Sequence, residues 1–290
     1  MDAFAGKSGA SLDLERFAKT AAQSRAPLLI LGELGVGKKS FARRLHFEGP
    51  QKSDPFVAVN CAFEPLDGAG VFGRLKAAQS GSLFLDGVGS LSMEAQEAVL
   101  KAILEGATGQ GGARILCAES RDLEIMVGQG NFLEPLFNRI GAAAVRIPPL
   151  RERKDDIMPL AELFLNAFSA ETKKSFEGFS DEAKEALLAY DWPGNVRELK
   201  NSVERACLLG KPPLAGLQDF LPFGGAFGSQ AQGSYVPQSG MSLKDAMNGF
   251  KKFYVERALR TVGKNQAETA ASLGIQRTYL SRLLVELGIR

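Results

Sequence analysis

The chain has 290 residues, 45% of them hydrophobic, and a net charge of +2. That is length for two or three domains of ordinary size. No apolar run approaches the ~18 residues of a membrane span, and residues 1–10 hold one lysine and no apolar run, so they do not read as a secretory leader. Three well-separated cysteines, Cys61, Cys117 and Cys207, and a single histidine, His46, argue against a disulfide framework, a zinc site or a histidine triad; they point to reduced thiols in a cytoplasm.

Residues 1–210 alternate short apolar runs with helical patterns, which predicts an α/β layer. Strands are expected at 27–31, 56–59, 81–85, 113–117 and 143–147. Their continuous apolar character suits parallel strands buried on both faces. From about Asp156 the pattern turns helical over 158–168, 181–189 and 195–209. The expected organisation is an α/β nucleotide-binding subdomain at 1–150, a helical subdomain at 151–210, a linker at 211–241 rich in Gly, Pro, Ser and Gln, and a helical segment at 242–290.

Between the first strand and the following helix lies Gly32-Glu33-Leu34-Gly35-Val36-Gly37-Lys38, the G-x-x-x-x-G-K pattern in its strand–loop–helix context. Glycines let backbone N–H groups close around phosphate oxygens, the helix N-terminus adds its dipole, and Lys38 supplies a charge for the β/γ-phosphates. The next position usually offers a hydroxyl to Mg²⁺. Here it is Lys39, and Ser40 lies about 100° further round the helix.

The strand Gly81-Ser82-Leu83-Phe84-Leu85-Asp86 ends in a carboxylate of the kind that holds Mg²⁺ through water. The residue after it, often a glutamate that orients the attacking water, is Gly87. A general base is worth ~10²–10⁴ in rate, so slow hydrolysis with retained binding is expected.

These segments, with several others, resemble the AAA+ activators of sigma-54 RNA polymerase, the bacterial enhancer-binding proteins. Gly32 to Lys38 is similar to their G-E-x-G-x-G-K loop, and Pro55-Phe56-Val57-Ala58-Val59-Asn60-Cys61 to P-F-x-x-x-N-C. Ser82 to Asp86 resembles T-L-F-L-D. Pro148 to Arg153 with Asp156-Ile157 matches P-P-L-R-E-R-x-x-D-I, and Trp192 to Leu199 matches W-P-G-N-V-R-E-L. The resemblance covers nearly the whole chain. It implies an AAA+ core with a helical lid, ATP or ADP and Mg²⁺ as ligands, Arg197 as a sensor arginine near the nucleotide, and assembly into a higher oligomer.

The chain also departs from that family. The sigma-contacting G-A-F-T-G-A loop is expected between an L-F-G and the acidic strand, but Val71-Phe72-Gly73 is followed almost at once by Arg74 to Gly81. The sensor asparagine of A-T-N-R-D-L aligns with Ser120. Of two arginines acting across subunits, the first aligns with Leu133 and the second is kept as Arg139. Such an arginine can be worth ~10³–10⁵ in rate. Asp86 and Arg139 are therefore the remaining catalytic candidates, with Asp86 also facing the metal. With about 30 residues before Gly32, no receiver or sensory domain is expected in that stretch.

Residues 242–290 carry nine Lys/Arg against four Asp/Glu, while the other 241 sum to −3. That asymmetry suits a polyanion. A long amphipathic helix is expected at 243–262, short helices at 266–273 and 276–287, with Asn265 as an N-cap and Gly274 at the turn. This segment resembles the Fis-type helix-turn-helix of the same family, in which the first helix dimerises and the last enters the major groove of double-stranded DNA. The resemblance assigns Asn265, Gln276, Arg277, Thr278, Ser281 and Arg282 to DNA and Tyr279 to a phosphate. The leading expectation is a DNA-binding transcription regulator with a degenerate AAA+ domain. The alternatives are a working ATPase activator that uses Asp67 or Glu119 as its acid, and an adaptor that modulates a related activator or RNA polymerase.

Overall fold

A computed structural model describes residues 6–105, 112–220, 251–252, 254–256, 258–259, 266–272 and 275–287. They fall into two compact units, one ending at Phe220 and one beginning at Leu221.

The first unit is built on five parallel strands, β1 (Leu28–Leu31), β2 (Phe56–Asn60), β3 (Ser82–Asp86), β4 (Arg114–Glu119) and β5 (Ala144–Arg146), in the order β2-β3-β4-β1-β5. Leu28 pairs with Leu116 and Asp86 with Ala118. Alternate residues point to opposite faces. Leu29, Leu83, Leu85, Ile115 and Cys117 enter one core beneath α3 (Gly68–Ala78), α4 (Met93–Leu104) and α6 (Glu134–Gly141). Leu28, Ile30, Phe84, Leu116 and Ala118 enter the other, beneath α1 (Gly9–Ala22) and α2 (Lys38–Phe47). With both faces covered, the inner strand positions are apolar and the polar residues sit at the strand ends, which is why the runs read continuously in the sequence. A short α5 (Leu123–Gly128) follows β4. Side-chain caps start the helices: Ser8 accepts from Ser11 N, Asp67 from Gly70 N, Ser92 from Ala95 N.

The sheet is followed by three helices, α7 (Ile157–Thr172), α8 (Asp181–Ala189) and α9 (Asn195–Leu209). Trp192, fully buried, anchors the α8–α9 turn and donates from Nε1 to the Leu187 carbonyl at 2.9 Å. Residues 211–220, expected as the start of a linker, are instead built into the fold. Leu214–Ala215 (β7) pairs with Gly178–Phe179 (β6), and the buried Phe220 packs tilted against Phe179 with ring centroids 5.7 Å apart. Residues 211–220 thus belong to the helical subdomain, because two aromatic rings and a strand pair bury apolar surface that a linker would leave in water.

In the second unit α10 (Gln266–Ser272) and α11 (Arg277–Glu286) share a small core of Val255, Ala270, Leu280 and Leu284. Asn265, Gly274 and the expected 221–250 linker and helix start lie outside the described residues. Among the described residues no helix is long and apolar enough to cross a membrane.

Candidate functional site

The loop from Gly32 to Gly37 leaves β1 and enters α2. Gly32, Gly35 and Gly37 have φ of +150°, +81° and +107°, a region that L-residues avoid. A Cβ on Gly35 would also run into the Gly194 carbonyl oxygen. The glycines are therefore needed twice, for the turn and for the approach of the next element. Lys38 opens α2 and is 7% exposed; its Nζ donates to the carbonyls of Gly32 (2.7 Å) and Glu33 (3.0 Å). Burial lowers its pKa, against Asp86 and Glu119, which raise it. Val36 is buried, Leu34 is 67% exposed, Lys39 is exposed and Ser40 half-buried.

Asp86 ends β3, two strands away from β1 across β4. Burial raises its carboxyl, and the charges of Lys38, Lys39 and Arg197 oppose that shift. The fold thus brings the sequence-predicted Lys38, Lys39, Asp86 and Arg197 into one electrostatic neighbourhood. Gly87 follows at φ +75°, its N–H on the Ala118 carbonyl at 2.8 Å.

Two acids are otherwise engaged. Asp67 is the exposed N-cap of α3. Glu119, 1% exposed at the end of β4, accepts from Gly89 N (2.8 Å), Ser120 N (2.8 Å), Arg121 N (3.0 Å) and the Arg121 side chain (3.1 Å to the terminal nitrogen). Burial alone would raise its pKa, but the Arg121 side chain and these N–H groups hold it down. Glu119 is a clamped anion that ties β4 to the turn after Asp86. Ser120 is exposed, with its N–H turned to that clamp, and Arg139 lies exposed on α6.

The helical subdomain also holds the loop directly, through contacts that no local pattern in the sequence signals. Arg151 forks onto Glu33 at 2.8 and 2.6 Å. Asn195 opens α9 at φ +54°, donates to Glu33 (3.1 Å) and to the Leu34 carbonyl (3.0 Å), and accepts from Leu150 N at 2.7 Å. Arg197 N reaches the Gly35 carbonyl at 3.2 Å. Arg153, buried, donates to the Val36 carbonyl at 3.0 Å. Its neighbour Asp156 accepts from Ser8 N and Ser8 Oγ at 2.7 and 2.9 Å. Glu33 is held down to about 2, first by the Arg151 hydrogen bond and then by Asn195.

Loop glycines that a Cβ would block, a buried lysine and a helix N-terminus suit a polyphosphate. For a divalent cation the donor set is thin. Asp86 offers one carboxylate, position 39 offers an ammonium, and among the described residues no three metal-binding side chains cluster.

In the second unit Gln276, Arg277, Thr278, Ser281 and Arg282 are exposed around the start of α11, and Ser281 Oγ returns to the Arg277 carbonyl at 3.1 Å. Tyr279 lies on the same helix; Asn265 is outside the described residues.

Residues 5–150 match the model of the sigma-54 interaction domain, and residues 151–224 that of the AAA+ ATPase lid domain. Among curated proteins the chain is 36% identical to the phenol regulator MopR of Acinetobacter guillouiae, over 93% of this chain and 53% of that one. It is 33% identical to the transcriptional regulatory protein ZraR of Escherichia coli, over 96% and 67%. The chain spans about half to two thirds of the length of the curated relatives it matches. Among solved structures, NtrX from Brucella abortus in complex with ADP superposes with a TM-score of 0.67 at 29% identity, covering 98% of this chain and 68% of that one. The same protein is also known in complex with ATP.

Proposed function

We propose a function from the premise that the chain belongs to the sigma-54 interaction domain family: it is a DNA-binding transcription regulator that holds ATP or ADP as a bound ligand more than as a fuel. Gly32 to Gly37 cradle the phosphates, Lys38 sits at the β/γ end, Lys39 and Ser40 flank it, and Arg197 reaches in from the lid. Asp86 faces Mg²⁺ through water when the ion is bound.

Hydrolysis and the sigma-54 contact are impaired. The observation that carries this reading is the turn after Asp86. Gly87 has no side chain to accept a proton, and the nearest buried acid, Glu119, already carries several N–H donors. Asp67 is spent as a cap. The α3–β3 connection is only Gln79, Ser80 and Gly81, too short for a G-A-F-T-G-A loop. Arg139, exposed on α6, is left to act across a subunit boundary in a higher oligomer. In the C-terminal unit α10 and α11 are the helix-turn-helix. Asn265, Gln276, Arg277, Thr278, Ser281 and Arg282 meet bases and phosphates and Tyr279 a phosphate; the segment before α10 pairs two copies into a dimer.

Purified chain is tested by calorimetry with ATP and ADP and by phosphate release. Micromolar binding that is lost in Lys38→Ala, with turnover well under ~1 s⁻¹, the low end of ordinary enzymes, is the expected result. Turnover at or above that rate removes the reading.

A further inference from the structure

At the end of the sheet remote from the phosphate loop, the starts of β1 and β4 bring two arginines together. Arg25, three residues before β1, donates from one terminal nitrogen to the carbonyls of Ser80 (3.0 Å) and Gly112. It thereby ties the α3–β3 turn to the approach to β4. Arg114 opens β4, is 4% exposed, and donates from Nε to the Ala26 carbonyl at 3.3 Å. Nε of Arg25 is buried and meets no acceptor among the described residues. The Arg114 guanidinium is pushed down to about 10, by burial first and then by the Arg25 charge, and among the described residues no acid acts against either. Residues 106–111, the nearest segment outside the described residues, contain no Asp or Glu. His46, whose pKa is lowered by burial first and also by Arg114, is occupied by Ser82 Oγ and the Asp54 carbonyl, both at 3.0 Å.

Two neighbouring guanidinium charges, one of them almost wholly withdrawn from water, are costly without a counter-charge. Guanidinium forks match the oxygens of phosphate, and two positive charges balance a dianion. We propose that Arg25 and Arg114 form a receptor for a dianionic phosphate group beneath the α3–β3 turn, separate from the phosphate loop. The group comes from inorganic phosphate or from a small phosphate monoester. When bound, it neutralises the pair and stiffens the turn that Arg25 holds.

The test uses the full chain carrying Lys38→Ala, which weakens the competing phosphate loop. Melting in sodium phosphate is compared with melting in sodium chloride at matched ionic strength and near-neutral pH, and affinity for inorganic phosphate and for glycerol phosphate is read by calorimetry. Phosphate is expected to raise the melting temperature. Adding Arg25→Gln is expected to weaken phosphate binding about tenfold or more, the scale of one charge-assisted hydrogen bond. Arg25→Lys, which keeps the charge and loses the fork, is expected to fall between them. Tighter binding of glycerol phosphate assigns the group to a monoester, and tighter binding of inorganic phosphate assigns it to the free ion. Equal melting in the two salts, or an affinity indifferent to Arg25, overturns the proposal. Affinity is measured on the folded fraction, so a variant that is merely less stable still answers the question.

Discussion

The Glu33 carboxylate carries two partners from the lid, and its folded pKa of about 2 lies below the ordinary 4.5. A depressed acid contributes its stability above the unfolded value and loses it as pH falls through the folded one. The clasp should therefore hold fully above about pH 4.5 and be lost toward pH 2. Glu33 and Arg151 are 42% and 40% exposed, so solvent screens the pair and its contribution is that of a surface bridge, small beside the buried contacts of the same joint. Trp192 is the single tryptophan and sits beside the clasp in the chain. Acid titration of its fluorescence should show a component in this window for the wild type that Glu33→Gln lacks; superimposable curves would exclude Glu33 as its source. Gly87 poses a different question at the same scale. A Cβ there meets no atom within 4 Å, and the φ of +75° is the obstacle. Gly87→Glu should cost ~1–2 kcal/mol of backbone strain and raise ATP turnover toward the ~10²–10⁴ of a general base at unchanged nucleotide affinity. A rate that does not move would place the block elsewhere, with Ser120 or Leu133.

At the scale of elements, the start of α9 is the joint between lid and loop. Asn195 uses its oxygen on Leu150 N and its amide on Glu33 and Leu34. Asn195→Ala leaves the buried Leu150 N–H unpaired and should cost ~1–3 kcal/mol. Asn195→Asp keeps that acceptor but turns a second anion toward Glu33, so it should weaken nucleotide binding more than Asn195→Ala while sparing more of the stability. Denaturant melts and nucleotide titrations of both variants separate the two effects, and equal nucleotide affinities would dissociate the joint from the site. The sheet is legible because burial on both faces writes apolar residues at the inner strand positions: each of the five expected runs overlaps its strand, displaced by at most two residues. The motif Trp192 to Leu199 was legible as a signature, but not as a clasp. Glu33 and Asn195 are 162 residues apart in sequence, and no periodicity links a loop carboxylate to an amide in another subdomain. Residues 211–220 were misread for a related reason. A strand of two residues has no alternation to detect, and Phe220 reveals its role only against Phe179.

At the scale of the whole molecule, the chain divides at Phe220 into a large unit, whose sheet is flanked by a core on each face, and a small one, whose described residues share a core that includes Val255, Ala270, Leu280 and Leu284. A ligand that binds one folded unit stabilises that unit by RT ln(1 + [L]/Kd), ~2.7 kcal/mol at a hundredfold excess over Kd. Two transitions are therefore expected in calorimetry. ADP should raise only the larger, and a DNA duplex carrying the recognised site only the smaller. The exposed basic residues of α11 sharpen the second arm. Each of Arg277 and Arg282 that meets a phosphate releases counter-ions, so Arg282→Ala should lower the salt slope of DNA binding by ~1. A base-reading Arg277 should instead cost ~1–3 kcal/mol at its own base pair when changed to Ala. If ADP shifted both transitions equally, the units would unfold as one, and nucleotide and DNA would be linked through the fold itself; separate shifts leave any coupling between them to the assembly of several copies.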